Sequence, residues 1–141
     1  MNNNVFLDSD VILDLLCRRE PFYGPASEIF TMSDSGDINL YTSSLVFANL
    51  YYILRKASGA EPARTILRKL SILVKILAVD EKIVELSLNS VFKDFEDGIQ
   101  FFTARENNLD VLISRNVIDY VLKDILVQTP QEYLSSVRMS S

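Results

Sequence analysis

Three groups of acidic side chains stand at positions where a folded chain can gather them. Asp8 and Asp10 follow the apolar run Val5-Phe6-Leu7, Asp94, Glu96 and Asp97 open a late helical pattern, and Asp119 follows the apolar stretch Val111-Leu112-Ile113. Carboxylates packed together repel, and each raises the pKa of its neighbour unless a cation intervenes. A hard divalent ion relieves that repulsion. Mg²⁺ and Mn²⁺ prefer oxygen ligands in octahedral geometry, commonly one or two carboxylates with water completing the shell. At a phosphodiester, such an ion generates hydroxide from water, and a second ion about 4 Å away stabilises the leaving oxygen. Each group also has a plainer reading: Asp10 as a helix cap or turn residue, Asp94 to Asp97 as complements of a helix dipole, and Asp119 as a solvated charge.

The composition removes most other chemistries. The 141 residues contain no histidine, which excludes Ser-His-Asp triads, Cys-His pairs and zinc sites with His ligands. Cys17 is the single cysteine, so no internal disulfide forms, and it reads as a small buried hydrophobe. Gly24, Gly36, Gly59 and Gly98 are too far apart for a phosphate loop or a dinucleotide fingerprint, so no nucleotide cofactor is expected. The start Met1-Asn2-Asn3-Asn4 is polar, Asp8, Asp10 and Asp14 interrupt the apolar stretch after it, and no run of about 18 apolar residues occurs. These features predict a cytoplasmic chain without a signal peptide or membrane span. With 14 basic and 19 acidic residues the net charge is −5, so nucleic-acid binding must be local.

The elements that must position the carboxylates follow from periodicity and punctuation. A strand at Val5 to Leu7 feeds a helix over Val11 to Cys17. A second helix runs from Pro25 to about Met32, and Ile38 to Tyr41 is a strand. Thr42, Ser43 and Ser44 are N-cap candidates for a helix from Leu45 to Lys56, with Ser58-Gly59 as its exit. A helix over Glu61 to Leu73, a strand over Lys75 to Val79 and a helix capped by Asp80 and reaching Val91 come next. Asp94 or Phe95 then opens a helix to Asn107, with Ile99, Phe102 and Ala104 inward and Gln100, Arg105 and Glu106 outward. Asp110 to Ser114 is a strand, Ile118 to Leu122 a short helix and Ile125 to Gln128 a fifth strand. Thr129-Pro130-Gln131-Glu132 has the form of a helix start. Alternating strands and helices predict one α/β domain over 1–134, a three-layer α/β/α sandwich around a mostly parallel sheet of about five strands, with 135–141 as a frayed tail. Ligands bind such sheets beyond the carboxyl ends of the strands, where Asp8, Ser43, Ser114 and Asn116 fall.

The joint pattern resembles the PIN-domain family of metal-dependent ribonucleases, most closely the VapC-type toxins of toxin-antitoxin pairs, over nearly the whole chain. Val5-Phe6-Leu7-Asp8-Ser9-Asp10-Val11-Ile12-Leu13-Asp14-Leu15-Leu16 is similar to the opening hhhDTNhhhdhh, with Asp8 on the first metal-binding aspartate and Asp10 in place of the usual Asn. Phe95-Glu96-Asp97-Gly98-Ile99-Gln100 with Ala104 resembles the later D-a-x-x-x-x-x-A helix, with Asp97 as the other main ligand. Leu112 to Tyr120 resembles the T-R-N/D-x-x-D-F segment, in which Asn116 and Asp119 match polar active-site positions, and Val127 to Leu134 resembles the closing strand-TPeeFL helix. The resemblance implies Mg²⁺ or Mn²⁺ held by Asp8, Asp97 and Asp119, an RNA substrate, a small antitoxin partner and a homodimer. One position departs from it. The second acidic residue of the family lies six residues past a Ser on the helix after strand two, where this chain has Ser43 and then Asn49. Glu96 and Asp10 are auxiliary candidates alongside Asn49 and Ser43, although neighbouring helical residues such as Glu96 and Asp97 point about 100° apart.

Between Leu54 and Ile76, Arg55, Lys56, Arg64, Arg68, Lys69 and Lys75 face Glu61 as the only acid. Such a stripe either tracks a phosphate backbone or is a solvated helix flank. Arg55, Lys56, Arg64, Arg68 and, beside Asn116, Arg115 are the RNA-binding candidates. Tyr51, Tyr52, Phe101 and Phe102 read first as core or dimer contacts and second as base-stacking groups. Two other readings stand beside the nuclease. In one, the loss of an acid at Asn49 leaves a PIN-like module that binds RNA or protein without cutting. In the other, Asp8-Ser9-Asp10-Val11 is the DxDx[TV] motif of haloacid-dehalogenase-like phosphatases, which also needs a pocket lysine.

Overall fold

In the computed structural model, which describes residues 3–140, Val5, Phe6 and Leu7 are completely buried in β1 (Asn4–Leu7). The chain continues through α1 (Ser9–Leu16), α2 (Tyr23–Asp34), β2 (Asn39–Ser43), α3 (Ser44–Ser58), α4 (Ala60–Leu73) and β3 (Lys75–Leu77). It then forms α5 (Glu81–Leu88), α6 (Phe95–Glu106), β4 (Val111–Ile113), β5 (Leu126–Gln128) and α7 (Pro130–Ser140). The five strands make one sheet in the order β3-β2-β1-β4-β5, and every pairing in it is parallel.

Side chains alternate across a strand, so each buried strand must serve two cores. Val5 and Leu7 of β1, Leu40 of β2, and Val111 and Ile113 of β4 pack with Ile12, Ile29, Leu50, Leu70 and Tyr133 from α1, α2, α3, α4 and α7. Phe6 and Leu112 point the other way, into a cluster with Ile83 of α5 and Ile99, Phe101 and Phe102 of α6. Both faces of the sheet are therefore covered, the arrangement a parallel sheet requires. The result is the three-layer α/β/α architecture expected from the sequence.

The hydroxyls at the end of β2 divide their work. Ser43 is the N-cap of α3, its Oγ accepting from the Val46 N–H at 3.1 Å; Thr42 donates to the Leu7 carbonyl at 2.8 Å; Ser44 accepts from the Val79 N–H at 3.2 Å. Gly59, at φ +96°, supplies the turn from α3 into α4 that a side chain would strain. Thr129 and Glu132 cap α7 reciprocally, at 3.1 and 2.9 Å.

Several expectations are corrected. α7 runs on to Ser140, so residues 135–140 continue a helix anchored in the core by Tyr133 and Leu134; Ser141, like Met1 and Asn2 of the polar start, lies outside the described residues. Cys17 is exposed, because it caps the C-terminus of α1 where the chain turns off the core. The short helix expected at Ile118 to Leu122 is a single 3-10 turn, Val117–Asp119, which ends as Tyr120 plunges into the core. Gln100 faces inward at 3% exposure, because Ser43, the N-cap of α3, meets it there. Among the described residues no helix is long and apolar enough to cross a membrane.

Candidate functional site

From β1 the chain builds the sheet outward through β2 to β3, and from β4 outward through β5 on the other side. β1 and β4 are neighbours, with Leu7 opposite Ile113, so the connections leaving their carboxyl ends diverge and the crevice of an open parallel sheet falls beyond Asp8 and Ser114. Asp8 lies at its floor, 8% exposed, and caps α1. Its Oδ1 accepts from the Ser9 N–H at 2.8 Å, and its Oδ2 accepts from the Ser114 hydroxyl at 2.9 Å and the Tyr120 hydroxyl at 2.8 Å. The capping role weighed for Asp10 thus falls to Asp8. Burial, with the charges of Asp8 and Asp97, holds the Tyr120 phenol well above its ordinary pKa, so it remains a donor.

Asp10 turns back from the first helical turn toward the end of β4. Its Oδ2 accepts from the Arg115 N–H at 3.2 Å and approaches the Asn116 amide and the Ser114 hydroxyl at 3.4 Å, whereas its buried Oδ1 has no hydrogen-bond partner. Burial and the charge of Asp8 push the Asp10 carboxyl up to about 6.

Asp97 enters from α6, whose N-cap Asp94 accepts from the Glu96 N–H at 2.8 Å. Its carboxyl is pushed up to about 7, first by burial and then by the charges of Asp94, Asp8, Asp119 and Asp10. Asp8 and Asp97, 89 positions apart in the sequence, are therefore near enough for the charge of Asp8 to act on Asp97, as does that of Asp119 on the 3-10 turn. Asn116 begins that turn, its carbonyl accepting from the Asp119 N–H at 3.1 Å. Ser43 is drawn in only indirectly, donating to Gln100 Oε1 at 2.6 Å and fixing α6 against α3. Further along the same contact Asn49 donates to Glu96 Oε2 at 3.3 Å.

Two supports of this site carry little local signal. Tyr120 ends the segment that resembles T-R-N/D-x-x-D-F, and its hydroxyl in place of a Phe is the one sign that it reaches a buried acceptor. Asp14, fully buried in α1, pairs with Arg115, Nε to Oδ2 at 2.9 Å, and the Arg115 guanidinium lies 4.0 Å over the Phe22 ring. The pairing ties the loop carrying Ser114 and Asn116 to α1 and α2. A cavity of about 360 Å³ opens beside it, lined by Phe22, Arg115, Asn116 and Gln131 among others.

The basic candidates are spread more widely. Arg64 and Arg68 share a shallow groove with Phe47 and Ile76, whereas Arg55 and Lys56 occupy the last turn of α3, with Arg55 about 18 Å along the helix axis from Ser43. Phe101 and Phe102 are core residues, as first expected, and Tyr52 is exposed.

Among the described residues no three acidic or cysteine side chains converge closely enough to hold an ion by themselves. Magnesium and manganese do not require three, since one or two carboxylates with water suffice. An all-oxygen environment with two carboxyls raised by burial and then by neighbouring charge, and a buried, unpartnered Asp10 oxygen, suits such an ion. Replacing Tyr120 by Phe removes one donor from Asp8 at nearly constant volume. The expected loss is about 1.5 kcal/mol in urea unfolding, as for a hydrogen bond to a charged group; an unchanged midpoint would show that this bond contributes nothing.

A parallel α/β/α sandwich with acidic side chains gathered at the carboxyl ends of its central strands defines the class to which the molecule conforms. Residues 4–118 match the sequence profile of the PIN domain, and the chain belongs to the PIN-domain family. It is 28% identical over 136 residues to ribonuclease VapC1 of Aquifex aeolicus (strain VF5), covering 94% of both chains. Its fold is similar to that of a chain in a toxin-antitoxin complex from Klebsiella pneumoniae, with TM-score 0.67 and 22% identity over 89% of this chain and 97% of that one. It is also similar to Mycobacterium tuberculosis VapC20, described as a sarcin-ricin loop cleaving toxin, with TM-score 0.60 and 17% identity over 77% of this chain and 86% of that one.

Proposed function

We propose that the protein is a Mg²⁺- or Mn²⁺-dependent endoribonuclease, the toxin of a toxin-antitoxin pair, acting in the cytoplasm. The observation that carries this reading is the charge of Asp8 and Asp119 acting on Asp97 within a PIN fold. Similarity to a VapC ribonuclease and to a toxin described as cleaving the sarcin-ricin loop supports it. Asp8 and Asp97 would hold the ion directly and Asp119 through water, and the ion when bound activates water and neutralises charge on the scissile phosphodiester. Ser114 and Tyr120 fix Asp8 by occupying its Oδ2, and Asn116 and Asp119 flank the place where the attacking water is oriented. Arg115 stands nearest the pocket as a phosphate contact, and Arg64, Arg68, Arg55 and Lys56 extend the basic track outward. The partners are RNA, a second copy of the chain, and a small antitoxin whose Arg or Lys enters the carboxylate pocket by charge-assisted hydrogen bonding.

The test is RNA cleavage with Mn²⁺. Asp8→Asn and Asp97→Asn should each abolish it, and undiminished cleavage in both would exclude the site. A second reading, a module that binds without cutting, draws on the neutral Asn49. Calorimetry with Mn²⁺ separates the two: no heat of metal binding, with RNA binding retained, favours the module. The phosphatase reading needs a lysine beside Asp8 and Asp10, whereas the cationic charge that acts on Asp10 is that of Arg115.

A further inference from the structure

The cavity beside Arg115 has walls of a different chemistry from the acidic site next to it. It measures about 360 Å³, within the range of pockets that take small ligands, and lies between the segment entering α2, the loop after β4 and the start of α7. Pro21, Pro25 and Pro130 give it stiff apolar walls, and Phe22, 39% exposed, presents part of its ring to it. No acidic residue lines it, and its one cation, Arg115, already faces the buried Asp14 at 2.9 Å, so the cavity favours an uncharged occupant. With the Thr129 hydroxyl engaged in capping α7, the hydrogen-bonding side chains left are the amides of Asn116 and Gln131, both exposed and each carrying donors and an acceptor. Apolar walls with amides at the edge fit a planar, uncharged group that stacks and hydrogen-bonds along its rim. An unpaired nucleobase is such a group, held by stacking on aromatic rings and read along its edges.

The position of the cavity follows from the loop that walls it. The Arg115 N–H and the Asn116 amide face Asp10 Oδ2 at 3.2 and 3.4 Å, so the same loop flanks the acidic end of the sheet and the cavity. In a single strand a base hangs one sugar away from its phosphate, so a phosphodiester held at the acidic end leaves a neighbouring base to be housed. The Arg115 guanidinium lies 4.0 Å from the Phe22 ring centroid and holds that ring in place before any ligand arrives, which lowers the cost of binding. We infer that this cavity takes an unpaired base next to the scissile phosphodiester, stacked on Phe22 and read along its edge by Asn116 and Gln131. This rests on the ribonuclease reading above and adds to it a source of base preference.

The experiment takes a short single-stranded RNA whose cut by the wild type with Mn²⁺ has been mapped, remakes it with each of the four bases and with an abasic residue on either side of the cut, and reads kcat/KM. Removing the base at one of these positions should lower kcat/KM about tenfold or more, the scale of one stacked base. Phe22→Ala should slow cleavage of the intact RNA by a similar factor and lose nothing further on the abasic one, because both changes remove the same contact. Phe22→Leu, apolar but without a flat face, should behave alike and serves if the smaller side chain costs the fold, which circular dichroism melts report. Gln131→Ala changes an exposed residue and spares the ring, so it should keep the abasic penalty and narrow the spread among the four bases. Abasic RNAs cut by the wild type as fast as the intact one, folded Phe22 variants that slow both RNAs alike, or a wild-type base preference in Gln131→Ala overturns the inference. If any of these appears while Asp8→Asn and Asp97→Asn still abolish cleavage, the ribonuclease reading stands and the cavity is left to a side chain of a protein partner. If the wild type cuts no RNA with Mn²⁺, both fall.

Discussion

At pH 8 and without metal, the Asp97→Asn protein should melt about 3–6 °C above the wild type, although the same change should reduce Mn²⁺-dependent RNA cleavage by about a thousandfold or more. The Asp97 carboxyl is pushed from 3.8 up to about 7 by burial and by four neighbouring acids. The folded state thus holds that proton more tightly than the unfolded chain does. Folding stability consequently rises as the pH falls from about 7 toward 4, and the ionised carboxylate destabilises the fold fully only above pH 7. Asp97 is only partly buried, and solvent screening brings the gain in the amide variant down to about 1–2 kcal/mol. The difference between the two proteins should shrink at pH 4.5. Added Mn²⁺ should raise the wild-type melting temperature and not that of the variant, because only the former binds it. Melting curves with chelator at pH 8 and 4.5 check this, and equal midpoints at pH 8 would refute the electrostatic account.

Arg115→Ala should cost about 3 kcal/mol in urea unfolding at pH 7, among the largest losses expected from any single change in the molecule. The substitution leaves Asp14 fully buried without its ion-pair partner and removes the cation stacked on Phe22. Burial already raises the Asp14 carboxyl against the opposing pull of Arg115 and Arg19. Without Arg115 it should rise further, so the penalty should shrink as the pH falls and the carboxyl takes up a proton. Asp14→Asn in the same background should recover part of the loss. Arg115→Lys should recover little, since a lysine neither stacks flat nor presents the guanidinium plane. Arg115→Ala unfolding with the wild-type midpoint would mean that Asp14 is satisfied in some other way.

The order of strands and helices was legible because its signals are local: apolar runs bounded by turns, Ser43 and Thr129 as caps, and Gly59 where φ must be positive. The ends of the carboxylate pocket were legible for a related reason, since Asp8 follows a strand and Asp97 opens a helix. What stayed hidden depends on partners distant in the sequence. Gln100 reads as solvent-facing until Ser43 arrives from 57 positions away, and the hydroxyl of Tyr120 gains meaning only beside Asp8. The Asn49–Glu96 contact joins two helices across 47 positions, and neither residue carries a local sign of it. The extent of α7 was missed because a polar C-terminal sequence carries no sign of the core anchor that Tyr133 provides.

The crevice floor has a consequence for the chain as it is made. Asp8 leaves the ribosome early, but the hydroxyls that hold it belong to Ser114 and Tyr120, and β4 must slot in beside β1 before either arrives. Contacts of that sequence span form late. A nascent polypeptide short of Tyr120 carries Asp8 without either hydroxyl, so the acidic end of the sheet takes its final form only after β4 and the turn behind it have been made.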